Sequence, residues 1–208
     1  MALERDTVVR TALRLLDEVG IDGLSTRRLA TELGVRQPAL YWHFRNKREL
    51  LDLMAEAMLA DALPHGREPS PENWAEWLVA DAHAKRRALL AHRDGARVHA
   101  GTLPTADELP AVEAQLRALR QAGFDPRDAL RLCLAVDRYT MGWVTEEQAL
   151  AQDATERNTG GLFPDEALAR TPLLAEAADV LRAADGDADF DYGLRLIIEG
   201  FRARMAAQ

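Results

Sequence analysis

Residues 26–45 read TRRLATELGVRQPALYWHFR, and the spacing inside this stretch decides the fold. Ser25 is suited to cap a short helix through Leu33, because its hydroxyl can accept from a free N–H of the first turn. Leu29, Ala30 and Leu33 share one face of that helix. Gly34 ends it, since the left-handed backbone of a tight turn costs glycine least. Pro38 belongs to the first turn of a second short helix through about Phe44, where its fixed φ and missing N–H do no harm. Ala30 is small enough to let the two helices approach, and Val35 and Leu40 fill the space between them. Two short helices flanking a Gly-Val turn have the spacing of a helix-turn-helix.

The outer side of this hairpin carries chemistry. With Pro38 at the first helical position, Gln37 becomes the cap residue, although glutamine is a poor cap. A glutamine at that tip can instead pair bidentately with adenine in a DNA major groove. Tyr41, Trp42, His43 and Phe44 are four consecutive aromatic rings, and one short helix cannot bury them all on one side. Phe44 is expected in the core and Trp42 suits either face, so one or two rings are left to face outward. Lys47 and Arg48 fall in the first turn of the next helix, where a cation opposes the macrodipole by about 0.3–1 kcal/mol. A phosphate docked on that helix start would reverse the sign.

Working outward, Val8, Val9, Ala12, Leu15, Leu16 and Val19 recur at helical spacing, Gly20 stops that helix, and Asp22-Gly23 marks a turn. Asn46 and Glu49 have capping-box spacing and open a helix to about Leu63. LPHGREPSP (63–71) breaks the pattern, dividing the chain into domains 1–63 and 64–208. Further helices are expected over 72–93, 106–122, 126–152, 173–184 and 189–205, with a broken, polar loop over 153–172. No alternating strand pattern and no internal repeat occur, so the class is all-α.

The 208 residues are 48% hydrophobic, enough for a proper core. No apolar run reaches the length of a membrane span, and the charged N-terminus does not read as a signal peptide. Cys133 is the only cysteine, which excludes a disulfide framework and fits a reducing cytoplasm. The net charge of −8 conceals an asymmetry: residues 1–50 carry +2, residues 51–208 carry −10, and the stretch 25–48 alone carries +5. A basic patch on an acidic body confines phosphate contact to the patch. The chain has no HExxH, nucleophile elbow or glycine-rich phosphate loop, so a metal-dependent enzyme built on His99 and Glu146 is disfavoured. A helical interaction module without DNA is the other alternative, and the basic patch counts against it.

STRRLATELGVRQPALYWHFRNKREL (25–50) resembles the DNA-binding domain of the TetR family of bacterial repressors. ALLAHRDGARVHAGTLPT (88–105) is similar to the stretch around the drug pocket of the tetracycline-repressor subgroup, which is far more specific. The resemblance implies a repressor with a three-helix DNA-binding domain, a connecting helix and a larger helical core. It further implies a homodimer joined by a four-helix bundle from helices 126–152 and 189–205, and a double-stranded palindromic operator. Leu130, Leu132, Leu134, Val136 and Met141 in the first of these helices, and Leu194, Ile197, Ile198 and Phe201 in the second, supply the apolar faces such a bundle needs. By the same resemblance Arg27 and Gln37 read base edges, Pro38, Ala39 and Tyr41 line the groove, and Thr26, Trp42, His43 and Lys47 hold phosphates. Arg36 departs from the subgroup by adding a cation beside the groove, which puts the operator sequence in question.

The resemblance also implies a small polycyclic effector that releases the operator. His99 would hold a magnesium ion chelated by that effector, with Thr102 and Glu146 reaching it through water, while DNA binding itself needs no cofactor. Pro104, Gln115 and Leu130 match pocket positions. Three positions depart: Leu63 replaces a histidine, Asp81 an asparagine and Lys85 a phenylalanine. Asp81 and Lys85 lie four apart, acid first, and are expected to pair across one helical turn. The alternative is that Lys85 meets an anionic ligand. Tetracycline and another polycyclic or aromatic compound both remain open as effector.

Overall fold

The computed structural model describes residues 3–60, 69–105, 108–156, 165–177 and 186–206, and no strand occurs among them. Helix α1 spans Arg5–Gly23 and buries Val8, Val9, Ala12, Leu15 and Leu16. Gly20 interrupts it as expected, with φ 71° and ψ 173°, before one further turn. Helix α2 covers Thr26–Glu32, and the Ser25 hydroxyl accepts the Arg28 N–H at 3.2 Å. Gly34 turns the chain at φ 67°.

The second arm of the hairpin is a 3₁₀ helix, Gln37–Trp42, shorter than the expected helix to Phe44. Arg36 occupies its cap in place of Gln37. The backbone explains this: Ala39 N–H bonds Arg36 O and His43 N–H bonds Leu40 O, three residues back in each case. Helix α3, Lys47–Ala60, starts as predicted, with Asn46 Oδ1 accepting the Glu49 N–H at 3.0 Å. The Glu49 carboxylate reaches back to the Arg45 N–H at 2.6 Å, one residue earlier than a capping box would take it. Residues 61–68, with Leu63 and most of the expected domain boundary, lie outside the described residues.

The larger part comprises α4 (Trp74–Leu90), α5 (Gly95–His99), α6 (Leu109–Gln121), α7 (Pro126–Glu156), α8 (Asp165–Ala169), α9 (Pro172–Glu176) and α10 (Gly186–Ala206). Two expectations need correction. The loop expected over 153–172 contains the end of α7 and all of α8. No glycine or proline lies between Gln152 and Asn158, so nothing in the covalent chain stops the helix at 152. A helix was expected over 173–184; its described part is α9, and 178–185 lie outside the described residues.

Two hydrophobic cores result. The first joins α1, α2, the 3₁₀ helix and α3 around Leu15, Leu16, Leu29, Leu40, Phe44, Leu50 and Met54. It continues without a break into Leu89 of α4, Ala96 and Val98 of α5, and Val144 of α7. The second packs α4, α6, α7 and α10 around Trp74, Leu78, Leu119, Leu132, Val136, Phe190 and Leu194. Beside it, Arg86 is nearly fully buried, donates twice to Glu147 (2.5 and 2.8 Å), bonds Asp187, and lies 5.1 Å over the Phe190 ring. This one guanidinium ties α4, α7 and α10 together, and its two carboxylate partners hold it firmly charged.

Candidate DNA interface and effector site

The helical hairpin sorts its aromatic run cleanly. Leu40 and Phe44 are buried, His43 is half-buried, Tyr41 is 49% exposed and Trp42 is 90% exposed. Leu40 and Phe44 lie four apart and share the inner face, so Tyr41 and Trp42, which follow Leu40 directly, point away from the core. Gln37 Nε2 donates to Thr26 Oγ1 at 3.0 Å and to Tyr41 Oη at 3.4 Å. The three side chains thus form one polar surface across the start of α2 and the 3₁₀ helix. Arg27, Arg36 and Pro38 are exposed beside it, and Ala39 is half-buried.

Lys47 and Arg48 behave differently from a free cationic pair. Lys47 Nζ donates to Leu24 O at 2.9 Å and Ile21 O at 3.4 Å, the carbonyl end of α1. This offsets the macrodipole penalty of its own helix. Arg48 pairs with Asp52 (2.7 Å) and donates to Ala100 O at 2.9 Å, directly behind α5. Its role is a tie between the connecting helix and the larger domain, so the phosphate expectation for this residue gives way to a structural one.

Helix α5 is joined to the hairpin domain at several points. Asp94, buried and left-handed at φ 57°, accepts the Ile21 N–H on Oδ2 at 2.9 Å. Arg97 bridges Asp94 and Asp22. From α7, Gln148 donates to Leu89 O and His92 O and accepts from Ala96 N–H, which staples the turn ahead of α5.

At its other end α5 carries His99. Thr102 Oγ1 lies 3.3 Å from His99 Nδ1 and donates to His99 O at 2.8 Å. Burial first, and then the positive charge of Lys85, holds the imidazole below its ordinary pKa. It is therefore neutral at neutral pH, with a ring nitrogen lone pair available to a cation. Glu146 is exposed on α7, and no hydrogen bond or ion pair joins it to His99. No cluster of three or more His, Cys, Asp or Glu side chains able to hold a metal ion occurs among the described residues. Gln115 is half-buried on α6, Pro104 is exposed, and Leu130 is 43% exposed on α7.

The expected Asp81–Lys85 pair does not form. Lys85 Nζ bonds Asp137 Oδ1 on α7 at 2.6 Å. Asp81 is only 9% exposed, whereas the Asp137 side chain is 37% exposed, so the ammonium keeps more solvation by turning outward. Burial raises the Asp81 pKa, Lys85 opposes the rise and Asp137 adds to it. Burial beside Asp81 likewise pushes the Cys133 thiol up to about 12. Asp137 and Cys133 were missed as members of this cluster. The available signal was their spacing of four on α7, which puts both on one helical face. The Thr105 hydroxyl, on the segment after Pro104, is buried with no hydrogen-bond partner.

Residues 8–54 match the family described as bacterial regulatory proteins, tetR family, and residues 68–205 match the tetracyclin repressor-like C-terminal domain. The chain is 50% identical over 202 residues to the tetracycline repressor protein class A from transposon 1721 of Escherichia coli, covering 97% of this chain and 92% of that one. Among solved structures it is similar to TetR(class A) in complex with 5a,6-anhydrotetracycline and magnesium (41% identity, TM-score 0.72, covering 97% and 99% of the two chains). It is similar also to a glutamine-to-alanine variant of TetR from Acinetobacter baumannii AYE in complex with minocycline (41% identity, TM-score 0.78, covering 98% of each).

Proposed function

The chain belongs to the TetR family of bacterial regulatory proteins and is a ligand-responsive transcriptional repressor, and from that premise we propose how its residues divide the work. Arg27 and Gln37 read base edges in the major groove, Pro38, Ala39 and Tyr41 line it, and Thr26, Arg36, Trp42, His43 and Lys47 meet the backbone. The observation that carries this reading is the Gln37–Thr26–Tyr41 surface, held open beside a fully exposed Trp42 while Leu40 and Phe44 anchor it from beneath.

Two copies act together on a palindromic operator, with α7 and α10 packing against their equivalents. Leu130 and Leu134 on α7, and Tyr192 and Leu196 on α10, are apolar and exposed within one chain, which supports that contact.

The effector is a polycyclic compound bound between α4, α5, α6 and α7, lined by Asp81, Lys85, His99, Thr102, Pro104, Gln115, Leu130 and Glu146; Leu63 belongs to the same assignment by resemblance. The neutral His99 beside Thr102 suits a hard cation carried by a chelating effector, with His99 as direct ligand and Thr102 and Glu146 acting through water. Magnesium, when bound, supplies a fixed positive charge that ties the effector's oxygens to α5. A shift of α5 then reaches the hairpin through Arg48–Ala100, Asp94–Ile21 and the shared packing of Ala96 and Val98. The effector releases DNA only to the extent that it binds the released form more tightly.

Calorimetric titration with anhydrotetracycline, with and without magnesium, tests this together with fluorescence anisotropy of a labelled operator. Binding that needs magnesium, is lost in His99→Ala and lowers operator affinity is the expected result. Binding indifferent to magnesium and to His99 would remove the chelate from the assignment.

A further inference from the structure

Helix α5 begins without the cap its own sequence offers. The first N–H groups of any helix lack a partner inside it, and a capping side chain usually accepts from one of them. Asp94 holds the cap position of α5, yet its side chain accepts from none of these groups. Its Oδ2 accepts the Ile21 N–H of α1 at 2.9 Å, and its Oδ1 lies 3.3 Å from Arg97. The carboxylate that would close α5 is committed to the hairpin domain.

Gln148, from α7, takes its place. Its Oε1 accepts the Ala96 N–H at 3.2 Å. Its Nε2 donates to Leu89 O at 3.2 Å and to His92 O at 2.8 Å, carbonyls at and just past the end of α4. A side-chain amide offers two donors and an acceptor at one tip, whereas a carboxylate has no donor and an ammonium no acceptor. The turn closed in this way is tight, since a Cβ on Gly95 would lie 2.1 Å from Leu89 O. One helical turn before Gln148, Val144 is buried in one cluster with Leu89, Ala96 and Val98. Helix α7 thus holds the start of α5 by packing and by three hydrogen bonds, and α5 in turn holds α1 through Asp94.

We propose that Gln148 is a positioning residue for the response to effector: it pins the start of α5 to α7, so that a push at the His99 end pivots the helix instead of sliding it. This rests on the assignment of His99 and its neighbours to the effector site. Helix α7 is the stationary element, because its 31 residues also pack against α4, α6 and α10. The two polar joints to the hairpin domain sit at opposite ends of α5, Asp94–Ile21 at its start and Arg48–Ala100 O just past its end. With the start fixed, the two joints are displaced unequally and the hairpin domain turns. With the start free, the push is absorbed in the turn between α4 and α5. Gln148 belongs to neither proposed ligand contact set, so its work shows in the linkage between effector and operator.

The test uses the full-length protein and two variants. Gln148→Met keeps the length and drops all three hydrogen bonds; Gln148→Glu keeps an acceptor for Ala96 but sets an oxygen against two carbonyls. Anhydrotetracycline with magnesium is titrated calorimetrically into each, and operator affinity is read by anisotropy with and without it. Both variants are expected to bind the compound within about threefold of wild type, while the factor by which it lowers operator affinity shrinks roughly tenfold. An unchanged factor overturns the proposal, and a lower melting temperature beside it marks Gln148 as serving the fold alone. Loss of anhydrotetracycline binding in the variants also overturns it, by making Gln148 part of the binding site. Amide exchange in wild type decides even where a variant does not fold. Saturating compound is expected to alter exchange at Ile21 while Ala96, at the pinned end, stays protected. Exposure of Ala96, or no change at Ile21, overturns the proposal and leaves the effector-site assignment standing. Failure of wild type to bind anhydrotetracycline overturns the assignment, and the proposal with it.

Discussion

The burial of Asp81 makes stability depend on pH in a particular direction. Burial and Asp137 raise the folded-state pKa of Asp81 above its unfolded value, against the opposing pull of Lys85. As pH falls, the folded form therefore takes up its proton first, and the carboxylate's penalty disappears. As pH rises through the window between the two values, the unfolded form gains and stability is lost. Asp81→Asn should accordingly be more stable than wild type at neutral pH, with the gap closing in the acid range below the ordinary aspartate pKa. Urea denaturation of both proteins at a series of pH values measures it. In the hairpin, Gln37→Ala removes a half-buried side chain whose hydrogen bonds go to Thr26 and Tyr41. It should leave the melting temperature unchanged and cost about 1–3 kcal/mol of discrimination at one base pair, read by anisotropy against single-substituted operators.

Among elements, the boundaries were legible wherever one residue acts on its own backbone. Ser25 and Asn46 cap their helices, Gly34 turns the chain, and Gly20 halts α1, all from local chemistry. Side-chain partners across helices were not. Lys85 has Asp81 one turn away, yet bonds Asp137, fifty-two residues on, because solvation decided between two acids that the sequence offers equally. The Arg86–Glu147–Asp187 cluster and the Asp94–Ile21 bond have no local signature at all. Arg86→Ala leaves the half-buried Glu147 carboxylate without its partner and a cavity beside Phe190, so a loss of about 3 kcal/mol is expected in equilibrium unfolding. Gly20→Ala places a Cβ 2.8 Å from Asp94 Oδ2 at a φ of +71°. That substitution should loosen the α1–α5 joint, so that effector still binds by calorimetry while its effect on operator affinity is reduced.

For the molecule as a whole, charge and packing point to opposite ends. The N-terminal 50 residues are net positive and the remainder strongly acidic, so only the hairpin face is electrostatically open to DNA. The logarithm of operator affinity should fall linearly with the logarithm of salt concentration, and Arg36→Ala should flatten that slope by about one phosphate contact. The proposed dimer contact uses Leu134, which is exposed on α7. Leu134→Glu should halve the mass found by light scattering and abolish tight operator binding, while a single hairpin domain keeps its fold. The family and the general division of labour could be read from the hairpin and from residues 88–105. The charge balance of the proposed effector site could not, because it depends on which acid captures Lys85.

The four tryptophans are divided between these ends. Trp42 stands almost wholly in water, while Trp74 is buried edge-on to Phe124, Trp143 lies tilted against Tyr139 and edge-on to Phe190, and Trp77 is half-buried against the same core. An indole in water emits to the red of one in a hydrocarbon setting, so the intrinsic emission band is a sum of two colours with separate addresses. Operator binding should remove light from its red edge, and effector binding from its blue edge. Unlabelled protein would then report, in one spectrum, whether the two ends of the molecule respond together.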